Sequence, residues 1–259
     1  MNQSMNLLLD CLKTENIDLF YIDLFCGAGG TSSGIEIADI NGKKVGKVIA
    51  CVNHDKNAIA SHMANHPDAL HFTEDIRVLN ISPIISLVSK IRVINPSAKI
   101  VLWASLECTN FSNVGSSIDD PSQTITANRK WHYLMNPQFM SAGGSIENPC
   151  FTLIARMDKM PPYLVATQQG FGIEIYETDS QMTRKIKEFM SMYGIADIKM
   201  RMLRIPELKQ IMGFPKDYVL IGTQADQKKF IGNAVEVTMA KVLCESLAKS
   251  LVYNKCLTA

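Results

Sequence analysis

Four short apolar runs, separated by helix-like or polar stretches, fill the first 105 residues of the chain. They occupy 19–25, 47–52, 69–72 and 99–104. Continuous apolar runs of this length are typical of parallel strands that are buried on both faces. Between them, 57–65 and 84–94 repeat apolar residues at intervals of three and four, which indicates helices. The alternation predicts an α/β fold with a mostly parallel sheet.

The pattern changes between Asn113 and Gly144, where Ser, Asp, Pro, Asn and Gly dominate. We therefore predict three segments: 1–112, an irregular second lobe over 113–198, and 199–259. In the last third, the spacing predicts a helix that Asp179 or Ser180 caps and Gly194 ends. A strand over 198–204, a short helix over 207–212 and a final helix over 235–251 are predicted to follow it.

Composition and charge favour an ordinary soluble globular protein. The chain has 47% hydrophobic residues and balances 26 basic against 25 acidic side chains, so no polybasic tail or acidic block indicates a purely electrostatic partner. Seven cysteines without a CxxC pair predict a reducing compartment, and we expect a cytoplasmic protein. No run approaches the length of a membrane span, so we expect no membrane association.

A glycine-rich segment after the first predicted strand is a candidate ligand-binding turn. Residues 23–34 read Asp-Leu-Phe-Cys-Gly-Ala-Gly-Gly-Thr-Ser-Ser-Gly. Glycines let the backbone turn tightly and approach a ligand, and the helix that follows offers free N–H groups. The second strand ends near Asn53 and Asp55, either of which stands where nucleotide-binding folds place a ribose-binding group. The third strand leads to 74–76, Glu-Asp-Ile, which places a carboxylate for an adenine amino group.

A cysteine after the fourth predicted strand and two motifs near the carboxyl end of the chain are further candidates. Cys108 follows the fourth strand, at the sheet edge where doubly wound folds bind ligands. A buried cysteine is often only a small apolar residue, but this position favours chemistry. Near the carboxyl end, 210–215 read Gln-Ile-Met-Gly-Phe-Pro and 232–235 read Gly-Asn-Ala-Val. Asn233 is a predicted N-cap of the last helix.

Together these motifs resemble those of the cytosine carbon-5 DNA methyltransferases. Segments 23–30, 108–112, 210–215 and 232–235 are similar to four family motifs and follow the family order. The resemblance implies a Rossmann-like methyltransferase fold that uses S-adenosylmethionine and acts on double-stranded DNA. It implies that the cofactor is bound by Phe25, Gly27, Gly29, Gly30, Asn53, His54, Asp75, Ile76, Asn233 and Val235.

The resemblance also implies that Cys108 is the catalytic nucleophile. A thiolate that adds to carbon 6 of cytosine makes carbon 5 nucleophilic enough to attack a sulfonium methyl group, and loss of the carbon-5 proton then expels the thiolate. Because the target base lies inside a duplex, it would be extruded into the pocket. The first and last segments would form the catalytic domain, and 113–198 would be a remnant of the target-recognition region.

The chain departs from the family pattern around and after the nucleophile. It reads Leu-Glu-Cys-Thr over 106–109, where the family usually has Pro-Pro-Cys-Gln. Residues 121–126 resemble the region after target recognition but begin 13 residues past Cys108. Glu147 lies 39 residues after Cys108 and is a weak match to the family's general acid. Three explanations stay open: a naturally shortened relative, an absent central block, which we favour, or one half of a split enzyme.

We therefore predict a cytosine carbon-5 DNA methyltransferase that is weak or inactive in this shortened form. A non-catalytic module that binds S-adenosylmethionine or pairs with a partner chain is one alternative, and an RNA cytosine methyltransferase is another. A restriction enzyme is a candidate partner. His62 and His66 lie one helical turn apart, but no third ligand has the spacing of a closed metal site. We interpret these histidines as a polar helix face and predict no metal.

Overall fold

The computed structural model describes residues 17–105, 132–135, 143–147, 150, 153, 161–170 and 172–253, with only the backbone described for 132–135 and 252–253. The chain divides into two compact units: 17–105 with 205–253 belong to the first, and the described residues from 132 to 204 belong to the second. The elements, in chain order, are β1 (Leu19–Leu24), α1 (Gly30–Ile37), β2 (Asp39–Ile40), β3 (Lys43–Lys44), β4 (Gly46–Val52), α2 (Lys56–Asn65), β5 (Leu70–Phe72), α3 (Ser82–Ile94), β6 (Lys99–Ala104), β7 (His132–Met135), β8 (Gly144–Ser145), β9 (Tyr163–Gln169), α4 (Gln181–Met192), β10 (Ile195–Met202), α5 (Ile205–Ile211), α6 (Gln224–Asn233), α7 (Val237–Ala248) and a π-helical turn (Lys249–Tyr253).

The first unit contains the predicted parallel sheet. Its strand order is β5-β4-β1-β6, and every pairing in it is parallel. Each strand begins and ends within one residue of its predicted bounds. The alternation of these strands with α1, α2 and α3 confirms the Rossmann-like α/β fold.

Both faces of this sheet are covered, which explains why its strands are continuous apolar runs. Phe20 on β1 faces a core cluster that includes Leu87 on α3. Its neighbour Tyr21 faces the opposite cluster, which includes Ile35 on α1 and Cys244 on α7. Successive side chains of a strand point to opposite faces, so one short strand contributes to both cores.

Helix α7, from the far end of the chain, completes the second of these cores. It packs closely on α1 at Gly34, where an added Cβ would meet the Val237 carbonyl oxygen and would lie 2.6 Å from the Ala240 Cβ. This final helix begins at Val237, two residues later than predicted. Asn233 is not its N-cap, because Asn233 ends the unpredicted helix α6 and the Glu236 side chain caps α7 instead.

The second unit is more regular than the sequence predicts. Its described residues include a four-stranded sheet of order β10-β9-β7-β8, and all of its pairings are antiparallel. The sequence pattern does not predict this sheet, because partners distant in sequence supply the pairing that single segments do not reveal. The bounds of the second lobe, 113–198, stay a prediction. The helix prediction is confirmed: the Ser180 side chain caps α4 by accepting from the Thr183 amide, and Gly194 follows with a left-handed φ of 62°.

No helix within the described ranges is both long and apolar enough to cross a membrane. Four cysteines of the described part, Cys26, Cys51, Cys150 and Cys244, are free thiols.

Candidate functional site

The glycine turn between β1 and α1 has an unusual backbone. Phe25, Gly27 and Gly29 have φ values of 59°, 54° and 100°. These values lie in the left-handed region, where a residue with a Cβ costs roughly 1–3 kcal/mol. Phe25 is held there by its surroundings, as residues at ligand-binding turns often are. The turn leads directly into α1, whose first N–H groups have no partner within the helix.

A cleft lies at the carboxyl ends of β1, β4 and β5, the edge at which open α/β sheets bind ligands. Its volume of about 310 Å³ is in the range of small-molecule sites. Its walls consist of aromatic and aliphatic surface, carboxylates, an amide, an imidazole and one guanidinium. The lining residues are Phe25, Val52, Asn53, His54, Glu74, Asp75, Ile76 and Arg77.

The cleft brings together five of the residues that the resemblance implies: Phe25, Asn53, His54, Asp75 and Ile76. Gly27, Gly29, Gly30, Asn233 and Val235 are not among its lining residues. Glu74 belongs to the segment from which the sequence predicts a carboxylate for the adenine amino group, whereas the sequence assigns no role to Arg77, which is adjacent to Ile76.

Asp75 and Arg77 form an ion pair on one wall of the cleft. The Arg77 Nη2 lies 2.5 Å from the Asp75 Oδ2, and Arg77 Nε lies 3.0 Å from Oδ1. Hydrogen bonds from the Arg77 side chain hold the pKa of Asp75 well below its usual range. The carboxylate therefore stays ionised, and its remaining lone pairs can accept a hydrogen bond from an amino group.

Of the two alternatives for the ribose position, only Asn53 lines the cleft. The Asp55 carboxylate instead caps α2, where its Oδ1 accepts from the amides of Asn57 and Ala58 at 2.9 and 3.2 Å. Asn53 Oδ1 in turn accepts from the Asp55 amide at 2.8 Å. This chain of contacts fixes the orientation of the Asn53 side chain at the cleft.

Residues from the carboxyl-terminal part of the chain pack on the glycine turn. A Cβ added at Gly30 would lie 2.6 Å from the Val235 carbonyl oxygen and 2.9 Å from the Ala234 Cβ. The Tyr218 hydroxyl donates a hydrogen bond to the Ala28 carbonyl. The segment that contains Val235 therefore supports the turn from outside the cleft and leaves no room for a side chain at Gly30.

A buried polar cluster lies beneath the turn. The Ser32 hydroxyl donates to Asp23 Oδ2 at 2.9 Å and lies 2.8 Å from His62 Nε2. Burial raises the pKa of Asp23 to about 7, against the hydrogen bond from Ser32, which lowers it. The other oxygen of Asp23, Oδ1, is buried and has no hydrogen-bond partner within the described part of the chain.

The interpretation of His62 and His66 as a polar helix face was wrong. His62 is fully buried, and its Nδ1 lies 2.9 Å from His71 Nε2. His66 lies 3.2 Å from the Ser33 hydroxyl. Burial lowers the pKa of both His62 and His66, and it lowers the pKa of His66 to about 4. The helical spacing correctly places His62 and His66 on one face of α2, but only the packing shows that this face turns towards α1 and β5.

Cys108 and Glu147 are the two residues with predicted catalytic roles. Cys108 lies outside the described residues. Glu147 belongs to the turn after β8 and is exposed, and its amide donates to the Ser145 hydroxyl at 3.2 Å. Its assignment stays a prediction.

The fold and the cleft define a Rossmann-like α/β protein with a nucleotide-sized site at the carboxyl edge of its parallel sheet. The chain belongs to the C-5 cytosine-specific DNA methylase family, whose family model matches residues 19–129 and 130–249. These matches include the glycine turn, the cleft and the supporting carboxyl-terminal segment.

Two curated relatives and two solved structures are similar to the chain. Type II methyltransferase M.AgeI of Thalassovita gelatinovora is 30% identical over 105 residues, which is 39% of this chain and 21% of that protein. Type II methyltransferase M.SacI of Streptomyces achromogenes is 38% identical over 53 residues, which is 20% of this chain and 14% of that protein. EhMeth of Entamoeba histolytica has a TM-score of 0.48 at 12% identity, covering 90% of this chain and 99% of that one. DNMT2 of Spodoptera frugiperda has a TM-score of 0.47 at 14% identity, covering 89% and 99%.

Proposed function

We propose that this protein transfers a methyl group from S-adenosylmethionine to carbon 5 of cytosine in double-stranded DNA. Membership of the C-5 cytosine-specific DNA methylase family supports this reaction. The observation on which the proposal rests is the cleft beside the strained glycine turn, with Phe25 at the end of β1 and Asp75 beyond β5.

The residues of the cleft fit S-adenosylmethionine. The ring of Phe25 and the side chain of Ile76 offer apolar surface to an adenine, and the ionised Asp75 can accept from its amino group. Glu74 and Asn53 offer polar groups to the ribose hydroxyls. When bound, the cofactor supplies an electrophilic methyl group on a sulfonium sulfur.

Cys108 is the proposed nucleophile. It lies four residues after Ala104, the last residue of β6, and β6 pairs with β1. Its thiolate would form a bond to carbon 6 of the cytosine, which makes carbon 5 able to accept the methyl group, and the same bond would break when the carbon-5 proton leaves. The base must leave the duplex to reach the sulfur, because both ring positions are stacked inside it.

Calorimetric titration of the full chain with S-adenosylmethionine tests the cleft. We expect saturable binding at one cofactor per chain. An Asp75→Ala variant removes the acceptor for the adenine amino group and should weaken binding by about tenfold, the equivalent of one net hydrogen bond to a charged group. Glu188→Ala, a carboxylate loss on an exposed face of α4, is the control and should bind as the parent does.

Transfer of a labelled methyl group to unmethylated mixed-sequence duplex DNA tests the reaction. We expect slow transfer by the parent chain, transfer at background level by Cys108→Ser with its cofactor binding retained, and parent-level transfer by the control Cys150→Ser. Transfer that persists in Cys108→Ser would refute the nucleophile. Cofactor binding without transfer to DNA or RNA would identify a non-catalytic module, and transfer to RNA alone would identify an RNA methyltransferase.

A further inference from the structure

Two buried cysteines and a buried histidine converge beneath the glycine turn. Cys26 Sγ, Cys51 Sγ and a ring nitrogen of His62 all lie within 4.8 Å of one another. Only 6% of Cys26 and none of Cys51 or His62 is exposed. The proposed methyl transfer uses none of these side chains, and none of them lines the cofactor cleft.

Three different elements bring these atoms together. Cys26 follows β1, and its amide donates to the Val52 carbonyl at 3.2 Å, which holds the turn beside β4. Cys51 lies on β4, and His62 lies on α2. The cluster therefore depends on the tertiary fold, and this explains why no ligand spacing marks it in the sequence.

The donor set and its dimensions suit a thiophilic cation. In a tetrahedral zinc site, the metal–ligand bond lengths place neighbouring ligand atoms about 3.3–3.8 Å apart. Cys51 Sγ lies 3.3 Å from His62 Nε2. Two thiolates and one imidazole are ligands that select soft d¹⁰ cations, Zn²⁺ or Cu⁺.

The surroundings of His62 match the outer sphere of a metal site. Its Nδ1 lies 2.9 Å from His71 Nε2. When Nδ1 carries the ring proton and donates it to His71, the lone pair of Nε2 is directed at the cysteines. A hydrogen bond of this kind from the second ring nitrogen is the usual partner of a metal-binding histidine.

A fourth donor is also present, beside a buried carboxylate. The Ser32 hydroxyl donates to Asp23 Oδ2 at 2.9 Å, so its 2.8 Å contact with His62 Nε2 is a hydrogen bond donated by Nε2–H in the metal-free chain. Metal binding would move the ring proton to Nδ1, and a Ser32 lone pair would then face the ion. Asp23 is fully buried, and its Oδ1 has no hydrogen-bond partner in the described part of the chain. With both cysteines deprotonated, Zn²⁺ gives a site with no net charge, so binding this ion adds no uncompensated charge beside the carboxylate.

We propose that Cys26, Cys51 and His62 bind one Zn²⁺ or Cu⁺ ion beneath the glycine turn, with the Ser32 oxygen nearest to the fourth position. Both thiols lose their protons to solvent as the two metal–sulfur bonds form, and neither sulfur is oxidised. The ion would join β1, β4 and α2 behind the cofactor cleft. This proposal does not depend on the proposed methyl transfer.

Titration of the reduced, metal-free full chain with Co²⁺ is the direct test for the divalent ion, because it needs no variant that must fold. We expect one equivalent per chain, with a sulfur-to-cobalt charge-transfer band whose intensity corresponds to two thiolates, and displacement of Co²⁺ by Zn²⁺. Competition with a Cu⁺-selective chelator tests whether the chain binds Cu⁺. If neither ion binds stoichiometrically, or if the isolated chain has a Cys26–Cys51 disulfide, seen as a mass lower by two hydrogens, the proposal is wrong.

Variants assign the ligands. Cys51→Ser and Cys26→Ser should each weaken binding by at least about 100-fold, and His71→Ala should weaken it by about 10- to 100-fold as the loss of an outer-sphere partner does. Cys244→Ser is the matched control, because Cys244 is equally buried on the same sheet face but lies outside the cluster. Unchanged binding in both cluster cysteine variants, or equal loss in Cys244→Ser, would overturn the assignment.

Discussion

Single atoms decide which residues the glycine turn accepts. Gly27 has a left-handed φ of 54°, and among the described residues no atom beyond its chain neighbours lies within 4 Å of an added Cβ, so its backbone angle favours glycine. Gly30 has the opposite requirement: its backbone is helical, but the Val235 carbonyl oxygen occupies the place of a side chain. Gly27 and Gly30 are therefore glycine for different physical reasons, and only the reason at Gly30 involves a distant part of the chain.

Gly30→Ala tests this close approach. The added methyl group would lie 2.6 Å from the Val235 oxygen, and backbone atoms must move to admit it. We expect a loss of about 1–3 kcal/mol in the free energy of unfolding, measured by urea denaturation, together with weaker cofactor binding. Gly144→Ala is the control, because no described atom beyond its chain neighbours lies within 4 Å of the added Cβ. Equal unfolding midpoints for the parent and Gly30→Ala would show that the packing is not tight.

At the scale of elements, the sequence predicts the interiors of helices and strands better than their ends. Asn233 has the chemistry of an N-cap, but α7 begins four residues later and is capped by the Glu236 carboxylate. The β2–β3 hairpin was not predicted, although the Asn41-Gly42 pair, with φ values of 56° and 79°, is the usual signal of a tight hairpin turn. Only the tertiary structure could identify the N-cap of α7, whereas the signal for the β2–β3 hairpin was present in the sequence.

Glu236→Ala tests the observed cap. The Glu236 side chain accepts from the amides of Thr238 and Met239 at 3.0 and 2.7 Å. Its loss should reduce the free energy of unfolding by about 1 kcal/mol, seen as a lower thermal midpoint. Glu236→Asp keeps an effective capping group and should recover most of the loss, whereas Asn233→Ala should not reproduce the capping defect. An Asp variant that is no more stable than the Ala variant would argue against capping.

At the scale of the whole molecule, the first unit is assembled from two separate stretches of chain. The core on one sheet face combines Tyr21 and Ile35 with Cys244 and Ala248, more than 190 residues apart in sequence. Helix α7 therefore completes a core that the amino-terminal stretch cannot close alone. The second unit is inserted between these stretches.

Fragments test this organisation. A chain that ends at Thr109 lacks α7 and exposes the apolar surface of α1, so we expect no cooperative thermal transition by circular dichroism. A chain in which a Gly/Ser linker replaces 110–204 keeps both stretches of the first unit and should unfold cooperatively. The organisation would be contradicted if the short fragment unfolded at the midpoint of the linked chain, or if the linked chain had no cooperative transition.

The sequence by itself determined the local features: the four parallel strands, the glycine turn, the cleft residues adjacent to strand ends, and a helix capped by Asp179 or Ser180. These follow from hydrophobic period and from backbone chemistry within a few residues. Tertiary structure alone decided that Val235 closes over Gly30, that Asp55 caps α2 while Asn53 faces the cleft, and that His62 meets two cysteines beneath the turn. The physical reason is distance along the chain: a periodic pattern gives the face on which a residue lies, but contacts between remote elements decide what that face meets.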